Sequence, residues 1–236
     1  MAGITDAKFL NKVIPFGFDT VTLGGYSLDA LTIDASAKII KRGRNEFHFP
    51  QDEIINHIGN EVNLIKKQHP DVKVSVNVRS TIPQPIVEVS KIDNLDIVEI
   101  NCHCRQDEIL AIGCGQNMLK RDDLKDYISN VVDNSSCEVS VKIRANVEGV
   151  DTLKIAKLIE NAGVDYLHVD AMKPGVFDAD YGLLTEICNN THIKVIGNNS
   201  INSEQKVEKM LETGVFGFSI ARAVISGKLN FNIFNF

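Results

Sequence analysis

The sequence predicts an α/β fold built on a parallel sheet, and three observations support this prediction. Short β-branched, apolar runs recur along the 236-residue chain, at 19–25, 72–78, 95–101, 137–144, 164–170, 192–198 and 215–221. Helical patterns lie between several of them, and such alternation requires crossover connections, which produce parallel strands. The runs are also apolar on both faces, as expected of strands that helices cover.

Four amphipathic segments supply predicted covering helices, at 29–43, 51–68, 149–163 and 202–214. Their apolar residues recur at helical spacing, and two segments contain clear boundary signals. Asp151 is a predicted N-cap and Gly163 a predicted stop for the third helix, while Asn202 or Ser203 is the predicted N-cap of the fourth.

The chain from 1 to 236 reads as one domain, because no linker, low-complexity run or charge tract interrupts it. A (β/α)₈ barrel and an open doubly wound sheet both fit the alternation. The G-x-G-x-x-G spacing does not follow the first strand, so the dinucleotide fingerprint is absent. The length suits a barrel, although the seven predicted strands are one fewer than a closed barrel requires.

Composition narrows the possible function classes. No run of about 18 apolar residues predicts a membrane helix, and the odd number of cysteines favours a reducing, cytoplasmic setting. A net charge of −6 disfavours a general nucleic-acid grip. The basic run from Lys38 to Arg44 is predicted to be the charged end of a surface helix, and it is the best candidate for a phosphate-contacting patch.

Polar residues follow six of the predicted strands at their carboxyl ends, where barrels place their functional groups. The residues at these strand ends are Asn77, Arg79, Asn101 to Cys104, Lys142, Arg144, His168, Asp170, Asn198, Asn199, Ala221 and Arg222. Lys142 lies inside the apolar run "VSVKIR", where an ammonium costs desolvation free energy unless it meets an anion. A lysine that snorkels or pairs with a neighbouring carboxylate is the alternative.

The segment "VEINCHCRQDEILAIGCGQ" contains Cys102, His103, Cys104 and Cys114. Their side-chain types suit zinc, but the spacing lacks the usual C-x₂₋₄-C pair, and neighbouring side chains at a strand end point to opposite faces. A reactive thiol and an inert buried thiol are the other interpretations. No metal site is therefore predicted.

Seven motifs in order resemble those of the tRNA-dihydrouridine synthases, FMN-dependent (β/α)₈ flavoproteins related to dihydroorotate dehydrogenase. They are "MAGITD" (1–6), "EINCHCRQ" (99–106), "GCGQNMLKRDDLKDYI" (113–128), "VSVKIR" (139–144), "GVDYLHVD" (163–170), "VIGNNSI" (195–201) and "TGVFGFSIARA" (213–223). The resemblance implies a TIM barrel that lacks strand one or is truncated there, because "MAGITD" would follow that strand. It also implies the short archaeal branch, without the C-terminal helical RNA-binding domain.

The resemblance further implies a chemistry and a set of site residues. NADPH or NADH would reduce FMN, hydride would pass from flavin N5 to C6 of a uracil in tRNA, and Cys104 would donate a proton to C5. Lys142 would contact the flavin near N1 and C2=O. The other residues expected to hold FMN are Met1, Ala2, Asn77, Asn101, Asn198, Asn199, Ala221 and Arg222, the last four around its phosphate.

This chain departs from the family pattern at several positions. His103 and Arg105 replace the Gly and Pro beside the cysteine, and Asp170 stands where the family has a histidine. His168 lies two residues earlier on the same face, so it either contacts the flavin or is a satisfied interior histidine. Other functions remain open: a flavoenzyme for a free pyrimidine such as dihydroorotate, a metal protein, or a non-catalytic barrel.

Overall fold

The computed structural model describes residues 3–234 and residue 236, and it contains one parallel sheet in the strand order β1 to β7. The strands are β1 Thr20–Ser27, β2 Lys73–Arg79, β3 Ile97–Cys102, β4 Glu138–Arg144, β5 Tyr166–Asp170, β6 Lys194–Asn198 and β7 Gly217–Ser219. All seven predicted strands are confirmed. The last is shorter than predicted, so Ala221 lies beyond its end.

Helices connect the strands on the outside of the sheet. They are α1 Ala7–Val13, α2 Ala30–Lys41, α3 Ile54–Gln68, α4 Gln84–Ser90, α5 Asp107–Leu110, α6 Leu124–Asn134, α7 Thr152–Glu160, α8 Tyr181–Asn190 and α9 Glu204–Leu211. Short 3₁₀ helices span Ile14–Phe16, Gly115–Lys120 and Arg222–Val224. The predicted N-caps are confirmed: the Asp151 side chain accepts from the Lys154 amide, and Ser203 caps α9.

The two faces of the sheet differ sharply in polarity. Val76, Val98 and Val141 are fully buried on one face, within the main apolar core that the helices complete. Residues at the alternate positions, such as Asn77 and Glu99, are directly paired in register across β2 and β3 and face the other side. Most of the apolar burial therefore lies between sheet and helices, and the inner face is free for polar groups.

The sheet curls around this polar face. The ring of His168 on β5 lies 2.7 Å from the Glu99 carboxylate on β3 and 2.7 Å from the Ser219 hydroxyl on β7. Strands β3 and β7 lie four positions apart in the sheet, or roughly 19 Å if the sheet were flat. One ring can contact both strands only because the sheet curves inward. The polar face is therefore the concave inner face of a sheet that is curved as in a barrel.

Strands β1 and β7 form the two edges of this seven-stranded sheet. Strand β1 bonds to β2, and Thr5 makes an antiparallel bridge to Gly24. The architecture agrees with the predicted barrel class, with seven strands in the described part of the chain. Within that same part, no helix is both long and apolar enough to cross a membrane.

Candidate active site at the carboxyl ends of the strands

Glu99 is a buried carboxylate at the centre of the inner face, with a side chain that is 4% exposed. It accepts hydrogen bonds from Asn77 Nδ2 at 2.8 Å, from the Ser140 hydroxyl at 3.2 Å and from His168 Nδ1 at 2.7 Å. Burial opposes its ionisation, but His168, Lys142 and Asn77 outweigh that penalty and hold the pKa of Glu99 well below its usual range. Glu99 is therefore ionised.

The geometry fixes the protonation state of His168. Its Nε2 lies 3.3 Å from Lys142 Nζ and 2.7 Å from the Ser219 hydroxyl. An ammonium can only donate, so Nε2 accepts, and the ring proton sits on Nδ1 facing Glu99. Burial, together with the Lys142 charge, lowers the pKa of His168 despite the opposing effect of Glu99. The ring is therefore neutral, although it lies beside a carboxylate.

Lys142 is half-buried on the inner face of the sheet, near the carboxyl end of β4. Its ammonium contacts the neutral ring of His168, and no carboxylate in the described ranges pairs directly with it. The structure therefore does not show the alternative, in which Lys142 pairs with a neighbouring carboxylate. Among the described residues, two of the three ammonium protons have no other acceptor, so they are available to a ligand at the mouth of the barrel.

Asn101 links this interior cluster to the loop that contains Cys104. Its Nδ2 donates to Asn77 Oδ1 at 2.8 Å, while its Oδ1 accepts from the backbone amides of His103 at 3.2 Å and Cys104 at 3.0 Å. Because Asn77 in turn donates to Glu99, hydrogen bonds connect the Cys104 backbone to the buried carboxylate without a gap. The structure thus brings Asn77, Asn101, Lys142 and His168 together, as predicted from their strand ends.

Cys104 is half-buried in the loop after β3. It packs against a small apolar cluster that includes Ile39, Ile109 and Cys114. Its carbonyl accepts from the Gln116 amide at 2.9 Å, and Gly115 passes close beside that carbonyl at φ +61°. A Cβ at position 115 would collide with the Cys104 carbonyl, which explains the glycine in "GCGQ".

The three cysteines of this segment take separate partners. Cys102 lies 3.8 Å from Met118 Sδ, and Cys114 donates to the Ser80 carbonyl at 3.4 Å. Burial raises the pKa of Cys114 to about 12, as expected of a packed thiol. Within residues 3–234 and residue 236, no group of three His, Cys, Asp or Glu side chains is arranged to hold a metal ion.

Asp170, at the carboxyl end of β5, the strand next to that of Lys142, orders the side chains around it. It pairs with Arg144 at 3.0 Å, and its other oxygen accepts from Asn199 Nδ2 at 2.7 Å. Asn199 adopts φ +127°, a left-handed conformation that asparagine tolerates better than most residues. The Asn198 side chain donates to the Ser219 carbonyl at 2.8 Å. Both amide side chains are therefore engaged by the protein itself.

The remaining predicted site residues are less enclosed. Ala221 is half-buried just before the short 3₁₀ helix Arg222–Val224, and the Arg222 side chain is exposed. Met1 and Ala2 lie outside the described residues. The structure thus places Ala221 and Arg222 after β7, next to the strand that contacts Asn198, but gives them no direct bond to the interior cluster.

A second buried ion pair closes the β1 side of the mouth. Arg79 and Glu46 lie 2.6 Å apart with side chains only 2% and 1% exposed, and Arg79 also donates to the Gly25 carbonyl at 2.9 Å. A Cβ at Gly25 would lie 2.6 Å from Asn77 Oδ1. Glycine is thus required where β1 approaches the polar cluster.

The basic run from Lys38 to Arg44 is the charged end of α2 and the turn after it, as predicted. Lys38 pairs with Asp34, Arg42 with Glu108, and Arg44 with Glu46. Acidic partners thus offset three of the four cations in the run, which weakens it as a patch for phosphates.

Three interior residues of the cluster were not predicted from the sequence: Glu99, Ser140 and Ser219. Glu99 had a usable signal, because an acidic residue in the apolar run "LDIVEIN" shares the parity of Asn101. The same argument that identified Lys142 in its strand applies to Glu99. The serines gave no comparable signal, since serine is common in strands of any polarity.

The buried His168 and the half-buried His103, both neutral, make the stability of the fold sensitive to acid. Burial first, and then the nearby cations Lys142 and Arg144, lower the pKa of His103 well below its ordinary value; the pKa of His168 is lowered as well. Below about pH 6.5 these histidines become protonated in the unfolded chain, whereas in the folded chain they stay neutral to a lower pH. We expect the free energy of unfolding to fall from pH 7.5 to pH 5, by at most about 1.4 kcal/mol per pH unit for each histidine.

Urea unfolding at several pH values measures this effect. His168→Asn should flatten the pH dependence, whereas the same change at the exposed His192 should leave it as it is. A stability that stays constant from pH 7.5 to pH 5 would contradict the neutral state of both rings.

Comparison with known proteins identifies the family. The family profile described as dihydrouridine synthase (Dus) matches residues 51–227, which is most of the chain. The chain belongs to the dihydrouridine synthase family. Enzymes of this family are oxidoreductases that act on a CH–CH bond.

Relatives of this dihydrouridine synthase family member cover nearly its whole length. An uncharacterized protein of Methanocaldococcus jannaschii is 36% identical over 97% of this chain and 88% of its own length. A probable tRNA-dihydrouridine synthase of Helicobacter pylori is 24% identical over 95% of this chain. The match spans only 65% of that relative's length.

Solved structures support the barrel class. Thiamine phosphate pyrophosphorylase from Pyrococcus furiosus matches with a TM-score of 0.56 at 16% identity, covering 94% of this chain and 82% of its own. The N-acetylmannosamine-6-phosphate 2-epimerase of Clostridium perfringens matches with a TM-score of 0.51 at 15% identity, over 84% and 83% of the two chains. At such identities the likeness concerns the fold alone.

Proposed function

We propose that this protein is an FMN-dependent oxidoreductase of the dihydrouridine synthase type, which reduces the C5=C6 bond of a uracil in tRNA. The observation that supports this most strongly is the half-buried Lys142 ammonium, which lies at the barrel mouth against a neutral ring. A cation held in this way, with protons to spare, suits a ligand that gains negative charge during the reaction.

The residues present fit a flavin in their donor chemistry. Lys142 offers ammonium protons, and a bound FMN would accept them at N1 and C2=O, the edge where negative charge develops on reduction. Asn77 and Asn101 lie on the same inner face, two strands and one strand away from Lys142 respectively, and Asn101 is held in a fixed orientation. When bound, FMN would supply the hydride for the substrate.

The rest of the cofactor site is proposed from the resemblance. Met1 and Ala2 would lie along the flavin ring. Asn198, Asn199, Ala221 and Arg222 would surround its phosphate, with backbone amides and the Arg222 guanidinium as donors, because the asparagine side chains are engaged elsewhere. His168, by contrast, is proposed to act through Lys142 and not by direct contact, since both ring nitrogens have protein partners.

Cys104 is the proposed proton donor. It lies in the loop directly after β3, and Asn101 fixes the backbone of that loop through two amides. The thiol would donate its proton to C5 of the uracil as the hydride arrives at C6, so that one face of the base is reduced in a single orientation. Half-burial against apolar neighbours shields this step from water.

tRNA is the proposed substrate, and a free pyrimidine is the competing one. The relatives named as tRNA-dihydrouridine synthases support tRNA. The net charge of −6, and a basic run in which three of four cations are paired with acids, favour a small substrate. The five free cysteines fit the cytoplasm, where either substrate would be met.

The visible spectrum of the purified protein is the first test. We expect oxidised-flavin absorption, either as isolated or after incubation with FMN, and bleaching by NADPH or NADH. A protein that takes up no FMN would refute the cofactor proposal and favour a non-catalytic barrel.

Single-turnover reoxidation of the reduced enzyme then separates the substrates. Reoxidation by unmodified tRNA, weakening as salt rises, would support tRNA. Reoxidation by orotate or free uracil alone, insensitive to salt, would assign the protein to small pyrimidines.

A further inference from the structure

We propose that His168, anchored by Glu99, is a positioning residue that fixes the Lys142 ammonium at the barrel mouth and thereby sets the preference for reduced over oxidised flavin. This inference rests on the proposed FMN site. The proposed role explains why the inner face contains a histidine at position 168, two residues before Asp170, the position at which the family resemblance places a histidine.

The polarity of the hydrogen bonds around His168 is fully determined. Glu99 is ionised and can only accept, so Nδ1 must donate to it across 2.7 Å. Lys142 can only donate, so Nε2 must accept from it across 3.3 Å. The carboxylate therefore selects the one neutral tautomer whose Nε2 lone pair faces the ammonium, in the way that carboxylates fix the tautomer of metal-binding histidines. The Ser219 hydroxyl, 2.7 Å from Nε2, shares this lone pair with Lys142.

Glu99 is itself held so that it cannot turn away. Asn77 and Ser140 donate to its two oxygens from the strands on either side, at 2.8 Å and 3.2 Å. The carboxylate, the ring and the ammonium thus form a row from β3 through β5 to β4, and the Ser219 hydroxyl from β7 steadies the ring. Glu99 and His168 are buried, so bulk water does not compete for the bond between them.

Lys142 depends on this row for its orientation. A lysine side chain has a long flexible stem, and in the described part of the protein the His168 ring is the polar partner of its ammonium. Without that acceptor, the ammonium would sample several positions. It would then stabilise the negative charge of reduced flavin less than the fixed ammonium does, because preorganised charges are the effective ones.

Two substitutions separate the two ends of the His168 ring. His168→Asn retains a donor near the Nδ1 position but removes the acceptor for Lys142. His168→Gln retains an acceptor near the Nε2 position but removes the donor for Glu99. Ser219→Ala is the matched control, because it removes the other partner of Nε2 and leaves Lys142 in contact with the ring.

The measurement is the ratio of dissociation constants for oxidised and reduced FMN, or equally the flavin reduction potential by dye equilibration. We expect His168→Asn to lower the preference for reduced FMN about tenfold, equal to a potential about 30 mV more negative for a two-electron couple. His168→Gln and Ser219→Ala should change it less than about threefold, because each leaves Lys142 an acceptor.

A double-mutant cycle tests whether the effect passes through Lys142. In a Lys142→Met background, His168→Asn should cause no further change in the preference, because the ammonium it positions is gone. Additive effects, equal effects of the Asn and Gln variants, or no effect of His168→Asn would each overturn the proposal.

The wild-type protein provides a test that needs no variant. Nitrogen NMR of the flavin-free protein at pH 7 should show His168 as the neutral tautomer with its proton on Nδ1. A proton on Nε2, or a doubly protonated ring, would refute the inference even if the variants fail to fold. Failure of the wild type to bind FMN would refute the proposed function instead, and the NMR result would be unaffected.

Discussion

Replacement of Cys104 by alanine should leave flavin binding intact and slow reduction of the substrate by about 10²–10⁴-fold, the usual contribution of a positioned general acid. The thiol is the proton donor proposed for C5 of the uracil, and alanine has no proton to give. Flavin binding should persist because the loop is fixed through the Cys104 backbone amide and carbonyl, which alanine retains.

Anaerobic single-turnover reoxidation of the reduced enzyme isolates this step from flavin reduction. The rate at which NADPH or NADH bleaches the flavin should be unchanged in Cys104→Ala, while reoxidation by the substrate collapses. Cys188→Ala is the matched control, since Cys188 is a half-buried thiol on α8, well away from the loop after β3. Reoxidation at the wild-type rate in Cys104→Ala would remove Cys104 from the mechanism.

The Cys104 result would also test how the loop functions with its unusual neighbours. His103 and Arg105 occupy positions where the family has glycine and proline, yet Asn101 still binds two successive amides of the loop. Arg144 adds a contact from β4, because its Nε donates to the His103 carbonyl at 3.4 Å. Contacts from Asn101 and Arg144 thus fix the conformation of this loop, in place of the conformational restriction that a proline would impose.

Periodicity and composition were enough to predict the strands and the mouth of the barrel. Each strand is a short apolar run, and parallel strands in register bring their carboxyl ends to one edge, so Asn77, Asn101 and Lys142 could be grouped in advance. Helix ends such as Asp151 were also predictable, because an N-cap depends on residues only three apart.

The bonds within the cluster could not be predicted in this way. Glu99 and His168 are 69 residues apart in the chain, and their contact depends on the register of three strands and on the curl of the sheet. A sequence pattern shows that both face inward, but it does not show which polar group each one meets. For the same reason, it could not tell that Asn199 binds Asp170.

Replacement of Glu99 by leucine should destabilise the protein by at least about 3 kcal/mol, although leucine has a similar size and suits a strand interior. The cause is the three donors that Glu99 satisfies: Asn77, Ser140 and His168 would each lose a buried acceptor, at about 1–3 kcal/mol apiece. Lys142 would in addition lose the favourable electrostatic interaction with the Glu99 carboxylate.

Urea unfolding of the flavin-free protein at pH 7 measures this loss. Glu138→Leu is the matched control, because Glu138 lies on the neighbouring strand and pairs with Lys73 in a partly exposed bridge, where we expect a loss below about 1 kcal/mol. Similar losses for the two variants would contradict the central role of Glu99.

The pH dependence of the stability loss in Glu99→Leu distinguishes the effect of the missing charge from that of altered packing. The pKa of Glu99 is depressed in the folded protein, so its stabilising contribution is complete above the ordinary glutamate pKa of 4.5 and declines as the pH falls below it. The difference between wild type and Glu99→Leu should therefore shrink once the pH falls below 4.5. A packing defect would cost the same at every pH, so the decline identifies the carboxylate charge, and not the volume of the side chain, as the element that orders the inner face.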